Sequence, residues 1–341
     1  MAFIDSIYDK AKQCIQRIVI PECTDETMMR AVKQAVRARL ADIILVGDRS
    51  EIEAAAGKCG PEPSEVKIVD VGDEAYRKHL VERYDAKPNK TMRTSSVLRR
   101  MDNPLYTAMV MEAVGDADCT FAGLNTTTYE FILAASSIIG LADGVTTPSA
   151  FILLEIEDFE GEQGNCFGMS DGGVCLEPTS EQLASIAISC CESFAALMGR
   201  EARCAMLSHS TVGSGFGPSV DRVRAAVDLA KAQRPDLMID GEFQADAAIN
   251  KRVAAKKVKQ QSDVAGRADV LIFPDVASCN IGSKLVQLLA KSRSYGPIYQ
   301  GFNLPVLDCS RGDNEERIFD NIALCSVLSA YQKGKNERKE A

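Results

Sequence analysis

The sequence predicts an α/β fold with mostly parallel sheets, divided into two domains. Short apolar runs alternate with segments of helical periodicity, and this alternation is typical of a parallel sheet with helices on its faces. The chain has 341 residues, and a chain of this size usually divides into domains of roughly 150 residues. The pattern changes character near residue 147, and we expect the second domain to begin there.

The first half of the chain shows the alternation most clearly. Short apolar runs closed by turns predict strands at 16–20, 43–46, 66–69 and 119–122. Apolar residues at helical spacing predict helices at 26–39, 49–56, 74–84 and 104–114. The turn 123–128 follows the fourth strand, and its Thr126 and Thr127 either offer hydroxyls and a helix N-terminus to a ligand or simply cap the next helix.

Residues 85–100 form a polar and basic segment that contains Lys87. We expect a loop and short helices there. Both a position near a bound anion and a solvated charged surface fit this composition, and the sequence does not decide between them.

The second half begins with strands predicted at 151–155 and 165–170, which we interpret as an antiparallel addition to the sheet. A helix rich in small residues follows at 180–198, and its predicted capping box starts at Ser180. Further βα units are predicted from strands at 204–207, 237–240 and 270–273 and a helix at 221–233.

The turn 208–215 follows a predicted strand and is rich in hydroxyls and glycines. Such a turn at the carboxyl end of a strand suits contacts with a phosphate or a sugar. His209 either acts there as a general base or has a structural role, and no acidic partner is identifiable from its spacing.

The stretch 296–312 organises the rest of the chain. Its strand at 305–307 leads into Ser310, Arg311 and Gly312, before an acidic, helix-like segment from Asp313. Backbone N–H groups, the arginine fork and the serine hydroxyl can converge on one phosphate, although an ordinary turn with a solvated arginine gives the same pattern. Upstream, the strand at 270–273 opens into a small-residue turn, and we expect the two turns to line one cleft.

Composition limits what this cleft can bind. The chain is 46% hydrophobic and 26% charged, as in ordinary globular enzymes. No apolar run approaches the ~20 residues of a membrane span, and the N-terminus lacks a signal-peptide pattern, so we expect a cytoplasmic location and no membrane partner. Twelve cysteines without a CxxC pair and only two histidines indicate reduced core thiols and no metal site. The net charge of -9 argues against nucleic-acid binding but allows a local pocket for a small anion.

Seven motifs occur in order along almost the whole chain. They are IVIPECTDE (18–26), ADIILVGD (41–48), AMLSHSTVGSG (205–215), RPDLMIDGEFQADAAI (234–249), VAGRADVLIFPD (264–275), CNIGSKLVQ (279–287) and YGPIYQGFNLPVLDCSRG (295–312). With these motifs the sequence resembles the phosphate acetyl/butyryltransferase family, and most closely its phosphate acetyltransferases.

This resemblance implies a fold, an assembly and a reaction. The implied fold has two three-layer α/β/α domains, 1–148 with 304–341 and 149–303, with the active-site cleft between them. Isocitrate and isopropylmalate dehydrogenases share this outline. However, no G-x-G-x-x-G follows the first strand of this sequence, which disfavours a dehydrogenase. The assembly is a homodimer. The reaction of acetate metabolism is reversible acetyl transfer between acyl phosphate and CoA, by direct attack of the CoA thiolate in a ternary complex. CoA, acetyl-CoA, acyl phosphate and phosphate are substrates, and no bound cofactor or metal is expected.

The resemblance also implies roles for individual residues. Ser310 matches the serine that orients or helps deprotonate the CoA thiol, and Arg311 matches the arginine that binds the phosphoryl group. The expected substrate-binding residues are Asn280, Gly282, Ser208, Ser210, Thr211, Gly213, Ser214, Thr126, Thr127 and Lys87.

Four positions depart from the family pattern. Arg317 stands where the family has an aspartate, Leu133 and Lys87 stand near arginine positions, and Val212 replaces a lysine. The lost carboxylate has three possible substitutes: Asp313, Glu315 and Glu316. Three interpretations follow: a phosphate acetyltransferase, an enzyme that prefers propionyl or butyryl phosphate, and a non-catalytic paralogue that binds CoA or phosphate.

Overall fold

The computed structural model describes residues 3–159, 161 and 164–340. The chain forms two compact units, Met1–Ala142 with Phe302–Ala341, and Asp143–Gly301. Strands and helices alternate in both units, so the predicted α/β class is confirmed.

Most strands are followed along the chain by a helix. The helices are α1 (Phe3–Gln13), α2 (Glu26–Arg37), α3 (Arg49–Cys59), α4 (Glu74–Asp85), α5 (Thr94–Leu98), α6 (Pro104–Ala113), α7 (Thr128–Ile138), α8 (Ser180–Met198), α9 (Pro218–Gln233), α10 (Ala245–Ile249), α11 (Lys251–Lys257), α12 (Val276–Leu289) and α13 (Glu315–Glu340). The strands are β1 (Arg17–Ile20), β2 (Asp42–Gly47), β3 (Lys67–Asp70), β4 (Cys119–Ala122), β5 (Ser149–Glu155), β6 (Cys166–Ser170), β7 (Arg203–Leu207), β8 (Met238–Phe243), β9 (Val270–Ile272), β10 (Arg293–Gln300) and β11 (Val306–Asp308).

In the first unit the strands lie in the order β3-β2-β1-β4-β11, and every adjacent pair is parallel. β4 is fully buried between β1 and β11. Because parallel strands end at one edge of the sheet, the turns after β1, β4 and β11 lie side by side.

In the second unit the order is β10-β5-β6-β9-β7-β8. The pairs β6/β9, β9/β7 and β7/β8 are parallel, whereas β5 is antiparallel to both β10 and β6. The antiparallel pair expected at 151–155 and 165–170 is therefore present, as β5 and β6. The parallel part carries the turns after β7, β8 and β9 at one edge.

Local sequence signals explain most helix starts, with two corrections. The capping box of α8 begins at Thr179, whose hydroxyl accepts the Gln182 N–H, and not at Ser180 as predicted. The small-residue stretch after β9 is not a turn but the start of α12, because Asp275 caps it by accepting the Ser278 N–H. Helices α1, α10 and α11 and strand β10 were not predicted.

Each unit has a dense apolar core around its sheet. Nine of the twelve cysteines are buried and all twelve are free thiols: Cys14, Cys23, Cys59, Cys119, Cys166, Cys175, Cys190, Cys191, Cys204, Cys279, Cys309 and Cys325. Within the described part of the chain, no helix combines the length and the apolar character needed to cross a membrane.

Candidate active site

The turn between β11 and α13 presents Ser310 and Arg311 to solvent. It is closed by a reciprocal pair of hydrogen bonds, in which the Ser310 N–H donates to Asp313 Oδ2 (2.9 Å) and the Asp313 N–H donates to the Ser310 carbonyl (2.8 Å). Arg311 forms no ion pair with any carboxylate among the described residues. The turn is therefore held from within, and its serine hydroxyl and guanidinium face outward.

Asp313 is the buried anchor of this turn. Its Oδ1 lies 3.0 Å from Arg317 Nη1, one helical turn further along α13. Burial raises the pKa of Asp313, while the charge of Arg317 and the Ser310 N–H act in the opposite direction. Of the three carboxylates considered as substitutes for the family aspartate, Asp313 is the one bonded to Ser310.

Gly123 brings the turn after β4 against the end of β11. Its φ is +121°, and a Cβ at this position would overlap Asp308 Oδ1 and the backbone of Cys309. The Cys309 N–H donates to the Ala122 carbonyl at 2.9 Å. Only glycine fits this approach, which places the turn 123–127 beside the Ser310 turn.

The backbone N–H groups of the turn after β4 are bound by a buried glutamate. Glu22 accepts from Leu124 (2.7 Å), Asn125 (3.0 Å) and Thr126 (2.7 Å). The backbone donors of the turn that leads into α7 are thus occupied by a carboxylate of the protein itself.

Thr127 caps α7 through a capping box with Glu130. Its hydroxyl donates to Glu130 Oε2 (2.7 Å) and accepts the Glu130 N–H (3.2 Å). The bonds that the Thr127 hydroxyl and the Thr127 N–H (3.0 Å) donate to the Glu130 carboxylate lower the pKa of Glu130, and the charge of Arg311 adds a smaller contribution in the same direction. Arg311 therefore lies within electrostatic reach of the start of α7.

A second buried glutamate, Glu242, holds the turn after β7. Its carboxylate accepts from the Ser210 hydroxyl (2.7 Å), the Gly213 N–H (2.9 Å) and both Nε and Nη2 of Arg224 (3.0 Å each). Burial alone would raise the pKa of Glu242, but the hydrogen bonds from Arg224, Gly213 and Ser210 outweigh it and lower the pKa to about 2.

The five predicted residues of this turn divide into two groups. Three of them donate hydrogen bonds to other groups of the protein. The Ser210 hydroxyl and the Gly213 N–H donate to Glu242, and the Thr211 hydroxyl donates to Gln244 Oε1 at 3.3 Å. Ser208 and Ser214 instead accept a backbone N–H, from Ser210 (3.2 Å) and Thr211 (2.9 Å). A hydroxyl that accepts in this way keeps its own proton for a ligand.

Three predicted residues lie outside these turns: Lys87, Asn280 and Gly282. Lys87 Nζ donates to the Ala113 carbonyl (2.5 Å) and so ties the end of α4 to the last residue of α6. Asn280 is exposed on α12, and its amide donates to the Gly172 carbonyl (3.3 Å). Gly282 lies on the same helix, where a Cβ would be 3.0 Å from the Phe273 ring.

Sequence reasoning missed Glu22, Glu242 and Arg224. The two glutamates stand within family motifs, IVIPECTDE and RPDLMIDGEFQADAAI. A charged residue beside an apolar strand end was the available signal, because such a residue is rarely buried without a partner.

Known proteins similar to this chain match it over most of its length. A family model described as Phosphate acetyl/butaryl transferase matches residues 2–326. The phosphate acetyltransferase of Thermoanaerobacterium thermosaccharolyticum is 38% identical over 328 residues, which are 96% of this chain and 99% of that protein. The phosphate acetyltransferase of Clostridium acetobutylicum is 38% identical over 332 residues, 96% of this chain and 98% of that protein.

A solved structure gives the same result for the fold. A phosphotransacetylase from Streptococcus pyogenes superposes with a TM-score of 0.86 at 29% identity, over 96% of this chain and 99% of that one. With the family match across residues 2–326, this chain belongs to the phosphate acetyl/butaryl transferase family.

Proposed function

We propose that this protein is a phosphate acetyltransferase, which transfers an acetyl group reversibly between acetyl phosphate and CoA. The observation that carries the proposal is the Ser310 turn, where an exposed hydroxyl stands next to an exposed arginine that has no carboxylate partner among the described residues. An unpaired guanidinium on a preformed turn suits a phosphoryl group.

In the proposed reaction the CoA thiolate attacks the acyl carbon directly. The new bond is sulfur to carbon, the bond that breaks is carbon to phosphate oxygen, and inorganic phosphate leaves. Ser310 orients the thiol through its hydroxyl, and Arg311 neutralises the charge that develops on the phosphate. Asp313 fixes the turn by accepting the Ser310 N–H, so the carboxylate lost at position 317 has its substitute four residues earlier.

A preference for longer acyl groups is the second candidate. Leu133 is 45% exposed and Tyr129 is 75% exposed, one turn apart on α7, the helix whose start lies near Arg311. An apolar surface beside the phosphate-binding arginine favours propionyl and butyryl groups, since each buried methylene contributes about 0.8 kcal/mol.

The deciding assay measures CoA-dependent phosphate release from acetyl, propionyl and butyryl phosphate side by side. Release from acetyl phosphate supports the first proposal, and faster release from the longer substrates supports the second. Calorimetry with millimolar CoA runs in parallel. CoA binding without turnover of any substrate would support the non-catalytic paralogue, and no binding at all would count against every acyltransferase.

We also propose that the protein is a homodimer that pairs through α12. Four residues of this helix, spaced along one face, are between 52% and 81% exposed: Ile281, Leu285, Leu288 and Leu289. An apolar stripe of this kind is typical of a surface that is covered by a partner. Light scattering should find a dimer for the wild type and a monomer for L288E/L289E, while L98E, which charges an exposed leucine on α5, should remain dimeric.

A further inference from the structure

Arg224 holds the turn 208–215 in place through contacts with Glu242 and Gly215. Arg224 of α9 reaches the turn through two of its nitrogens: Nε and Nη2 bind the Glu242 carboxylate (3.0 Å each), and Nη2 also donates to the Gly215 carbonyl (3.3 Å). Glu242 in turn binds Ser210 and the Gly213 N–H. One ion pair therefore fixes both the middle and the end of the turn.

This arrangement decides which groups remain for a ligand. The Val212 N–H is also bound, by the Glu242 carbonyl (3.2 Å), and the Gly215 N–H is bound by the Ser210 hydroxyl (2.8 Å). The hydroxyls of Ser208 and Ser214 stay available as donors, and each is oriented by the N–H that it accepts.

We propose that Glu242 and Arg224 are positioning residues, which hold Ser208 and Ser214 as paired hydroxyl donors for the phosphate-bearing substrate. This inference rests on the proposed function. Neither residue touches the substrate in this role. Both act through the shape of the turn, and a displacement of about 1 Å in such a site is costly for binding and orientation.

The test compares two ion pairs that join the same helix to the same strand. Lys231 of α9 pairs with Asp240 of β8 at 2.6 Å, as Arg224 pairs with Glu242, but it lies two turns further along the helix, away from the turn 208–215. Kinetics with acetyl phosphate and thermal unfolding would be measured for R224Q, R224K and the matched control K231Q.

For R224Q we expect KM for acetyl phosphate to rise about tenfold, the scale of one lost oriented hydrogen bond, while KM for CoA and kcat change by less than about threefold. K231Q should keep the wild-type KM even if it unfolds at a lower temperature. R224K should fall between them, because an ammonium restores the charge but cannot bridge Glu242 and Gly215.

Two results would overturn the inference: a wild-type KM for R224Q, or the same rise in R224Q and K231Q. If R224Q does not fold, the KM of R224K decides between the same outcomes. Calorimetry with inorganic phosphate separates this inference from the proposed function. Weaker phosphate binding by R224Q than by K231Q supports the positioning role even if the wild type turns over no acyl phosphate, and no phosphate binding by the wild type rejects it.

Discussion

The turns after β4 and β7 are both built on a buried glutamate, but the two carboxylates are compensated differently. Glu22 accepts three consecutive backbone N–H groups in the turn before α7, and no arginine or lysine in the described part of the chain forms an ion pair with it. Glu242 accepts one N–H, one hydroxyl and the fork of Arg224. The backbone N–H groups of a turn can thus replace a cation in stabilising a buried carboxylate.

Glu112 shows what happens when the compensation is weaker. It is buried on α6, its Oε2 accepts the Thr120 hydroxyl (2.6 Å), and its Oε1 has no hydrogen-bond partner among the described residues. Burial, with a smaller contribution from the charge of Asp118, raises the pKa of Glu112 to about 8 although Thr120 partly opposes the shift. The partners of a carboxylate, more than its depth, decide whether it is charged.

The largest expected effect follows from this contrast. A folded pKa of about 8 against an ordinary value of 4.5 means that the native state holds a proton that the unfolded chain releases. The contribution of Glu112 to the free energy of unfolding should therefore be largest below pH 4.5, fall by up to about 5 kcal/mol as the pH rises to about 8, and level off above it. E112Q should remove this slope and be more stable than the wild type at pH 8.5.

Urea titrations from pH 5 to pH 9 would measure this difference, with E242Q as the opposite case. The low pKa of Glu242 means that its contribution is present above pH 4.5 and is lost as the pH falls toward 2, so E242Q should destabilise the protein at neutral pH. Equal pH slopes for the wild type and E112Q would show that Glu112 is not the titrating group.

The next effect concerns Arg311, in the turn between β11 and α13, which forms no ion pair with a carboxylate among the described residues. R311A should lower kcat/KM by about two to three powers of ten, the usual cost of losing one preorganised group that stabilises developing charge. Steady-state kinetics of acetyl phosphate turnover would measure it. R49A, which removes an exposed arginine paired with Glu53, is the control, and unchanged kinetics in R311A would place Arg311 outside the site.

A smaller effect tests how the turn after β4 is held against the end of β11. G123A should lower the free energy of unfolding by about 3 kcal/mol, because its Cβ would overlap Asp308 and Cys309 at a positive φ. Gly115 has a φ of +82° with no atom near an added Cβ, so G115A should cost only about 1 kcal/mol. Denaturant unfolding of both variants separates steric overlap from backbone strain, and equal losses would contradict the close approach.

The smallest effect is on acyl selectivity. L133R places a cation in the middle of α7 and removes apolar surface, so it should shift the ratio of kcat/KM toward acetyl phosphate and away from butyryl phosphate by a few-fold. The three acyl phosphates would be compared in the wild type and in L133R. A wild type that strongly prefers acetyl phosphate, with a ratio that L133R leaves unchanged, would remove Leu133 from the acyl site.

The fold and the Ser310 turn were predictable because their signals are local. Apolar periodicity marks the strands of the first unit within a few residues, and Gly312 after Ser310 and Arg311 marks a strand-to-helix turn without any knowledge of packing. The family motifs added the reaction. The structure confirms the fold class, and the comparisons with known proteins confirm the family. The residue roles stay predictions.

The parts that could not be predicted depend on contacts distant in sequence. Glu22 binds a turn about one hundred residues away, and Arg224 reaches Glu242 across a helix and a strand. No spacing rule reveals such pairs. The same limit explains why Ser210 and Thr127 resembled ligand contacts, since their hydroxyls are engaged by partners that only the folded chain brings near.

The distribution of the cysteines makes the two units separately observable. The first unit contains Cys23, Cys119, Cys309 and Cys325 in buried positions, and the second contains Cys166, Cys190, Cys191, Cys204 and Cys279. A buried thiol reacts with a maleimide only when the structure around it opens. Timed labelling followed by peptide mass spectrometry would therefore report, without any added probe, which unit opens first and whether CoA slows the opening of one unit or of both.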